Sequence, residues 1–255
     1  MSTLHHQVEG AGPALLLLHA GVGDLRMWDA QVGELSSAGF TVVRCDLRGF
    51  GGSVLTTGAS YSEAEDVLSL LEYLDIEMFS LVAASYGGHV ALQVATAVAH
   101  RVESMVLLAP AAELVDPDES LRALWEEEGR LMEAGDLDGA TELNVRIWLG
   151  PEADDDARTL VRRMQLDAFV QQAAVGEVDN RELPVALDRL TMPTTILVGA
   201  HDLAFFTRTA RKLANRLLHA RLVELSWAGH LPSLERPTET TRLILDALSQ
   251  PRAIG

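Results

Sequence analysis

The chain of 255 residues has a single cysteine, Cys45, so no disulfide can form within it, and a reducing compartment is the natural expectation. It has no apolar run near the roughly 20 residues that a membrane-crossing helix needs. Basic side chains are scarce: 20 Lys and Arg stand against 37 Asp and Glu, a formal net charge of −17. That balance argues against nucleic acid and anionic membrane surfaces as partners, because both are held by clustered positive charge. The first residues, Met1 to His6, lack the basic-then-apolar layout of a secretory signal, and a soluble, cytoplasmic protein is expected. His5 and His6 are too few for a metal-binding tract. No His-Glu-x-x-His, His-x-His-x-Asp-His or paired-cysteine pattern occurs, and no Gly-x-Gly-x-x-Gly follows a strand. Neither a metal nor a dinucleotide cofactor is therefore expected.

Apolar bulk is what the chain has in plenty. At 48% hydrophobic residues it can form a sizeable core, and a chain this long buries roughly three quarters of its unfolded surface. Short apolar runs recur at Ala14 to Leu18, Thr41 to Cys45, Phe79 to Ala83, Ser104 to Leu108 and Thr195 to Val198, with a weaker one at Arg221 to Leu225. They lack clean alternation, as strands buried on both faces do. Between them, Met27 to Leu35, Ser62 to Leu74, Gly88 to Val98, Thr207 to Leu218 and Glu239 to Leu248 carry amphipathic helical spacing. Strand and helix in alternation predict an α/β fold with a doubly wound, mostly parallel sheet, whose site lies at the carboxyl ends of the strands.

From about residue 112 to 190 the rhythm breaks, and the segment predicts three or four helices. Leu121, Trp125, Leu131, Met132, Trp148, Met164 and Phe169 serve as its apolar anchors. This predicts a core of residues 1–111 and 191–255 with a helical cap, or lid, inserted between two core strands. Fifteen acids against three bases between Glu113 and Asp156 predict a solvated, negative outer face for the cap.

Four motifs carry chemistry. Leu81-Val82-Ala83-Ala84-Ser85-Tyr86-Gly87-Gly88 runs a buried strand into a small-x-Ser-x-Gly-Gly turn and a helix, the context of a nucleophile elbow. His19-Ala20-Gly21-Val22-Gly23 follows another strand as a Gly-rich loop, able to aim a backbone N–H into a site. Asp202 ends Val198-Gly199-Ala200-His201-Asp202 just past a late strand, and His230 sits in Ala228-Gly229-His230-Leu231-Pro232 after the last. The order Ser, Asp, His along the chain differs from the chymotrypsin and subtilisin orders.

These segments resemble the α/β-hydrolase superfamily, and most of all its compact esterase and lactonase group, which includes 3-oxoadipate enol-lactonases. Asp46-Leu47-Arg48-Gly49-Phe50-Gly51-Gly52-Ser53 matches that family's Asp-x-Arg-Gly-x-Gly-x-Ser turn. Three positions depart from the pattern: Ala20 and Ala83 replace glycines, and no proline closely follows Asp202. The resemblance implies a serine hydrolase of carboxylic esters or lactones working through a covalent acyl-enzyme. Ser85 would be the nucleophile, His230 the general base and Asp202 the group that orients it. It also implies an oxyanion hole built from the backbone N–H groups of Tyr86 and Gly21, with Val22 in reserve.

Rival readings stay open at this level. Asp202 could cap a helix while Glu113 supplies the acid. His19 is expected to brace the oxyanion loop, Asp46 and Arg48 to fix their turn, and Cys45 to be an inert buried thiol. His89, His100 and His219 are expected to be bystanders. A carboxylate-bearing lactone substrate would need a basic contact, for which Arg122, Arg130 and Arg146 are the candidates in the early cap. The same triad also serves C–C bond hydrolysis, thioester cleavage and perhydrolysis, and the scaffold can serve as a ligand receptor. The expected partner is a small molecule.

Overall fold

A computed structural model describes residues 4–58, 60–176 and 178–249. Seven strands form one sheet: β1 (His6–Gly10), β2 (Ala14–Leu18), β3 (Thr41–Cys45), β4 (Phe79–Ala84), β5 (Val102–Leu108), β6 (Thr194–Gly199) and β7 (Ala220–Leu225). Their order across the sheet is β1-β3-β2-β4-β5-β6-β7, and every neighbouring pair is parallel except β1 with β3.

Alternate strand residues feed two separate cores. Leu16, Leu18, Leu81, Ala83, Leu107 and Ile196 point to one face, packed under α2 (Glu63–Tyr73), α3 (Tyr86–Ala97) and α7 (Ala204–Arg216). Leu15, Leu17, Val82, Ala84, Leu108 and Leu197 point to the other, which α1 (Asp29–Ser37) and α9 (Pro237–Leu248) cover through Val32, Leu35, Ile244 and Ala247. Both faces of the central strands are therefore apolar, which explains their unbroken runs.

The chain leaves β2 toward β3 on one side and returns to β4 on the other. The carboxyl ends of β2 and β4 thus flank the point where connections diverge, the usual place for a crevice in an open α/β sheet.

The sequence reading places six of the seven strands, with ends differing by at most two residues. It misses β1 (His-Gln-Val-Glu-Gly), which lies at the sheet's edge with four of its five residues exposed and so carries no apolar signal. It also misses the single turn α8 (Pro232–Glu235) that follows His230.

Between β5 and β6 lie α4 (Glu119–Glu133), α5 (Leu137–Trp148) and α6 (Asp155–Val175), followed by a 3-10 turn at Leu187–Arg189. Each helix begins on an aspartate whose carboxylate accepts a backbone N–H: Asp118 from Leu121, Asp136 from Gly139 and Asp154 from Ala157, at 3.1, 2.9 and 2.8 Å. Part of the acidic excess here is thus helix capping rather than a solvated face. Leu121, Trp148, Met164 and Phe169 are buried as expected, but Trp125 is 51% exposed at the cavity wall and anchors nothing.

Candidate active site

Ser85 stands between the last residue of β4 and the first of α3, with φ +49° and ψ −115°. An L-residue avoids such a backbone unless its surroundings impose it. Here they do. Ser85 N–H donates to the Leu108 carbonyl at 2.9 Å, and the Ser85 carbonyl accepts from Gly88 and Ala111 at 2.8 and 3.0 Å. Gly87 is needed two residues later, because a Cβ there would stand 2.4 Å from the His19 carbonyl oxygen. Close approach of α3 to the loop after β2 thus demands a residue without a side chain.

His230 lies in the loop after β7 and is 2% exposed. Its Nε2 is 2.7 Å from Ser85 Oγ, and its Nδ1 is 2.8 Å from Asp202 Oδ2. An ionised Asp202 can only accept, so Nδ1 carries the proton, Nε2 accepts, and the Ser85 hydroxyl donates. The other Asp202 oxygen accepts the Leu203 N–H at 2.7 Å, which fixes the carboxylate. The rings of Trp148 (α5) and Phe206 (α7) pack on the imidazole at centroid distances of 4.6 and 4.2 Å. Three chain-distant groups named from the sequence are brought together, and the imidazole's acid partner is Asp202, while Glu113 lies elsewhere in the cavity wall.

Ala20 accepts the Gly23 N–H at 2.9 Å in a tight turn, leaving the central amides of Gly21 and Val22 outside that bond. A Cβ added at Gly21 would stand 3.4 Å from the Tyr86 Cβ, so the loop lies against the start of α3. Tyr86 is the first residue of that helix, where a backbone N–H has no partner within the helix and the dipole favours negative charge.

His19 braces this loop as expected. Its Nδ1–H donates to the Ala20 carbonyl at 2.8 Å and its Nε2 accepts from the Leu47 N–H at 2.9 Å. Burial holds its pKa below the usual range, keeping the ring neutral. Asp46 ties its turn together, accepting N–H bonds from Leu25 and Gly52, both at 2.7 Å, and pairing with His5 at 2.6 Å. Arg48 does more than fix its own turn: its guanidinium reaches Asp66 of α2 at 2.6 Å. Cys45 is fully buried, and burial pushes its thiol far up, as an inert role requires.

A cavity of about 1290 Å³ opens over Ser85 and His230. Its walls come from both the sheet side and the helical insertion, with Val22, Leu124, Trp148, Phe169 and Phe205 as apolar members. Tyr61, Glu63, Tyr86, His89 and Glu182 supply a polar part. His89, expected to be a bystander, lines this wall, where its ring stacks on Tyr86 and bonds Gln93 at 2.8 Å. His100 and His219 are exposed and outside the wall. Arg122, Arg130 and Arg146 do not line the cavity either; Arg48, Arg208 and Lys212 are its basic members. Sequence reading missed Tyr61 and Glu63, which only the packing of α2 brings near Tyr86. Among the described residues, no group of three His, Cys, Asp or Glu side chains is placed to hold a metal ion. Among them, too, no helix is long and apolar enough to cross a membrane.

Comparison with known proteins agrees with this architecture. The model of the alpha/beta hydrolase family matches residues 15–243. An esterase from Thermogutta terrifontis superimposes with a TM-score of 0.81 at 27% identity, covering 96% of this chain and 92% of that one. The enol-lactonase from Burkholderia xenovorans LB400 gives 0.80 at 26% identity, covering 97% and 96%. A pimeloyl-[acyl-carrier protein] methyl ester esterase of Nitrosomonas europaea is 26% identical over 253 residues, 94% of this chain and 97% of that protein. With a sheet, an elbow and relatives of this kind, the chain belongs to the alpha/beta hydrolase family and is a hydrolase.

Proposed function

We propose that the protein hydrolyses uncharged carboxylic esters or lactones through a Ser85–His230–Asp202 triad, with the helices of residues 112–190 acting as a cap over the site. The observation that carries this reading is the continuous relay from Ser85 Oγ through both imidazole nitrogens to a buried carboxylate, at 2.7 and 2.8 Å.

In this mechanism the Ser85 oxygen attacks the acyl carbon as its proton passes to His230 Nε2. Asp202 stabilises the resulting imidazolium. The negative oxygen of the tetrahedral intermediate is held by the backbone N–H groups of Tyr86 and Gly21, each worth about 10²–10³ in turnover. His230 then protonates the leaving alcohol, the acyl group remains on Ser85, and water activated by the same imidazole releases the acid. Trp148 and Phe206 keep bulk water off the imidazole edges.

The cavity's charge supports an uncharged substrate. Besides Glu63, which burial keeps protonated, Glu113, Asp116, Glu128 and Glu182 line it, while Arg48 and Arg208 are engaged by Asp66 and Asp118. A dicarboxylate lactone would meet more negative than positive charge there.

Short-chain aryl esters and simple lactones test the reading. Steady turnover in the wild type, lost at least about a thousandfold in Ser85→Ala, is expected. Equal rates in the two proteins would overturn it.

A further inference from the structure

Behind the His230 loop lies a carboxylate that the mechanism above does not use. Glu235, the last residue of α8, is 5% exposed. Its Oε2 accepts the Gly229 N–H at 2.8 Å and its Oε1 the Leu231 N–H at 3.2 Å. It therefore holds the amides on both sides of His230 and leaves the imidazole free to face Ser85. Its carboxylate also lies against the backbone of Gly150, just past the end of α5 in the helical insertion. Gly150 fits only without a side chain, since a Cβ there would stand 2.3 Å from Glu235 Oε2 and 2.4 Å from the Gly229 nitrogen.

Closing its own helical turn would account for the bond to Leu231, because the Glu235 N–H returns to the Leu231 carbonyl at 3.1 Å. It would not account for the bond to Gly229 or the close packing on Gly150. The turn that carries Glu235 is itself fastened to the core. Gln31 of α1 donates to the Ser233 carbonyl at 3.1 Å, and Thr240 of α9 to the Pro232 carbonyl at 2.7 Å. A buried carboxylate on a fixed turn thus joins the loop bearing His230 to the segment bearing Trp148, whose ring packs on the same imidazole.

We propose that Glu235 is a positioning residue, a two-amide clamp packed on Gly150 that sets the His230 loop against the helical insertion and so holds the imidazole at its distance from Ser85. This rests on the reading of His230 as the general base. Loss of the clamp lets the loop drift, and a misplacement near 1 Å in a catalytic group can cost about a hundredfold in rate. Because the substrate cavity is left intact, the loss falls on kcat.

Steady-state kinetics on an aryl ester, together with fluorophosphonate labelling rates, test this on Glu235→Gln, Gly150→Ala and Arg236→Ala. Arg236 is a control: it is half-exposed, it bonds Glu152 of the insertion and Glu239, and it lies outside the site. Glu235→Gln keeps the shape but turns one acceptor into a donor. Gly150→Ala keeps the carboxylate and pushes it aside. Both are expected to lower kcat and labelling rate about tenfold to a hundredfold with KM within about threefold, while Arg236→Ala matches the wild type. A folded Glu235→Gln or Gly150→Ala with wild-type kcat, or with its loss confined to KM or to the melting temperature, overturns the proposal. Hydrogen exchange on the wild-type protein gives a readout that needs no variant to fold. The Gly229 and Leu231 amides should open together, and independent opening contradicts the clamp. His230→Ala separates the two failures: if it retains turnover, the triad reading falls, and if it is inactive while Glu235→Gln is not, only the clamp does.

Discussion

Glu63 shows how a single residue's burial reaches into the pH dependence of stability. Its Oε2 accepts the Arg48 N–H at 3.1 Å, and its Oε1 has no hydrogen-bond partner among the described residues. Burial pushes its carboxyl up from an ordinary 4.5 to about 8, only partly offset by the Arg48 amide. The folded state therefore holds a proton that the unfolded chain has already released above pH 4.5. Stability from this group is fully present below that pH and is lost as pH climbs through about 8. Glu63→Gln, which cannot ionise, is expected to gain melting temperature relative to wild type as pH rises from 5 to about 9. A difference that stays constant across that range would contradict the assignment. At the same scale, Ser85, Asp202 and His230 were legible because each lies at the end of an apolar run within a few small residues. Glu235 was not, because nothing in Leu-Pro-Ser-Leu-Glu distinguishes a clamp from an exposed helical acid. Only the return of α8 toward Gly150 makes that difference.

At the level of elements, capping aspartates start all three helices of the insertion. Asp154 begins the longest, the 21-residue α6, whose Val161, Met164 and Ala168 are buried. Asp154→Ala removes the acceptor for the Ala157 N–H and the negative charge at the positive helix end. About 1 kcal/mol of stability should be lost, read as a lower urea midpoint with unchanged slope. An unchanged midpoint would mean that packing alone sets the start of α6. The central strands could be read almost to the residue because burial on both faces leaves nothing but apolar side chains in them. β1 could not, since an exposed edge strand obeys neither alternation nor continuity. The acid count of the insertion predicts a solvated face and is silent on the caps, because charge totals ignore position.

For the molecule as a whole, the acidic excess behind the net charge of −17 extends into the cavity, where four acids besides the protonated Glu63 face three bases. Esters whose acyl part carries a second, ionised carboxylate should therefore show kcat/KM at least about tenfold below neutral esters of equal length, with the gap narrowing as salt rises. Equal values, or a preference for the anion, would move attention to Arg208 and Lys212 as a carboxylate contact. The fold was legible as a whole, but the cavity was not: its walls join residues from Gly21 to His230, and no local pattern foretells that meeting. At the centre of the proposed chemistry Ser85 is the nucleophile. Intact-mass analysis with peptide mapping after fluorophosphonate treatment tests this most directly. One adduct per chain is expected, located on Ser85, absent from Ser85→Ala and formed far more slowly in His230→Ala. An unmodified wild-type chain, or an adduct on another residue, would contradict it.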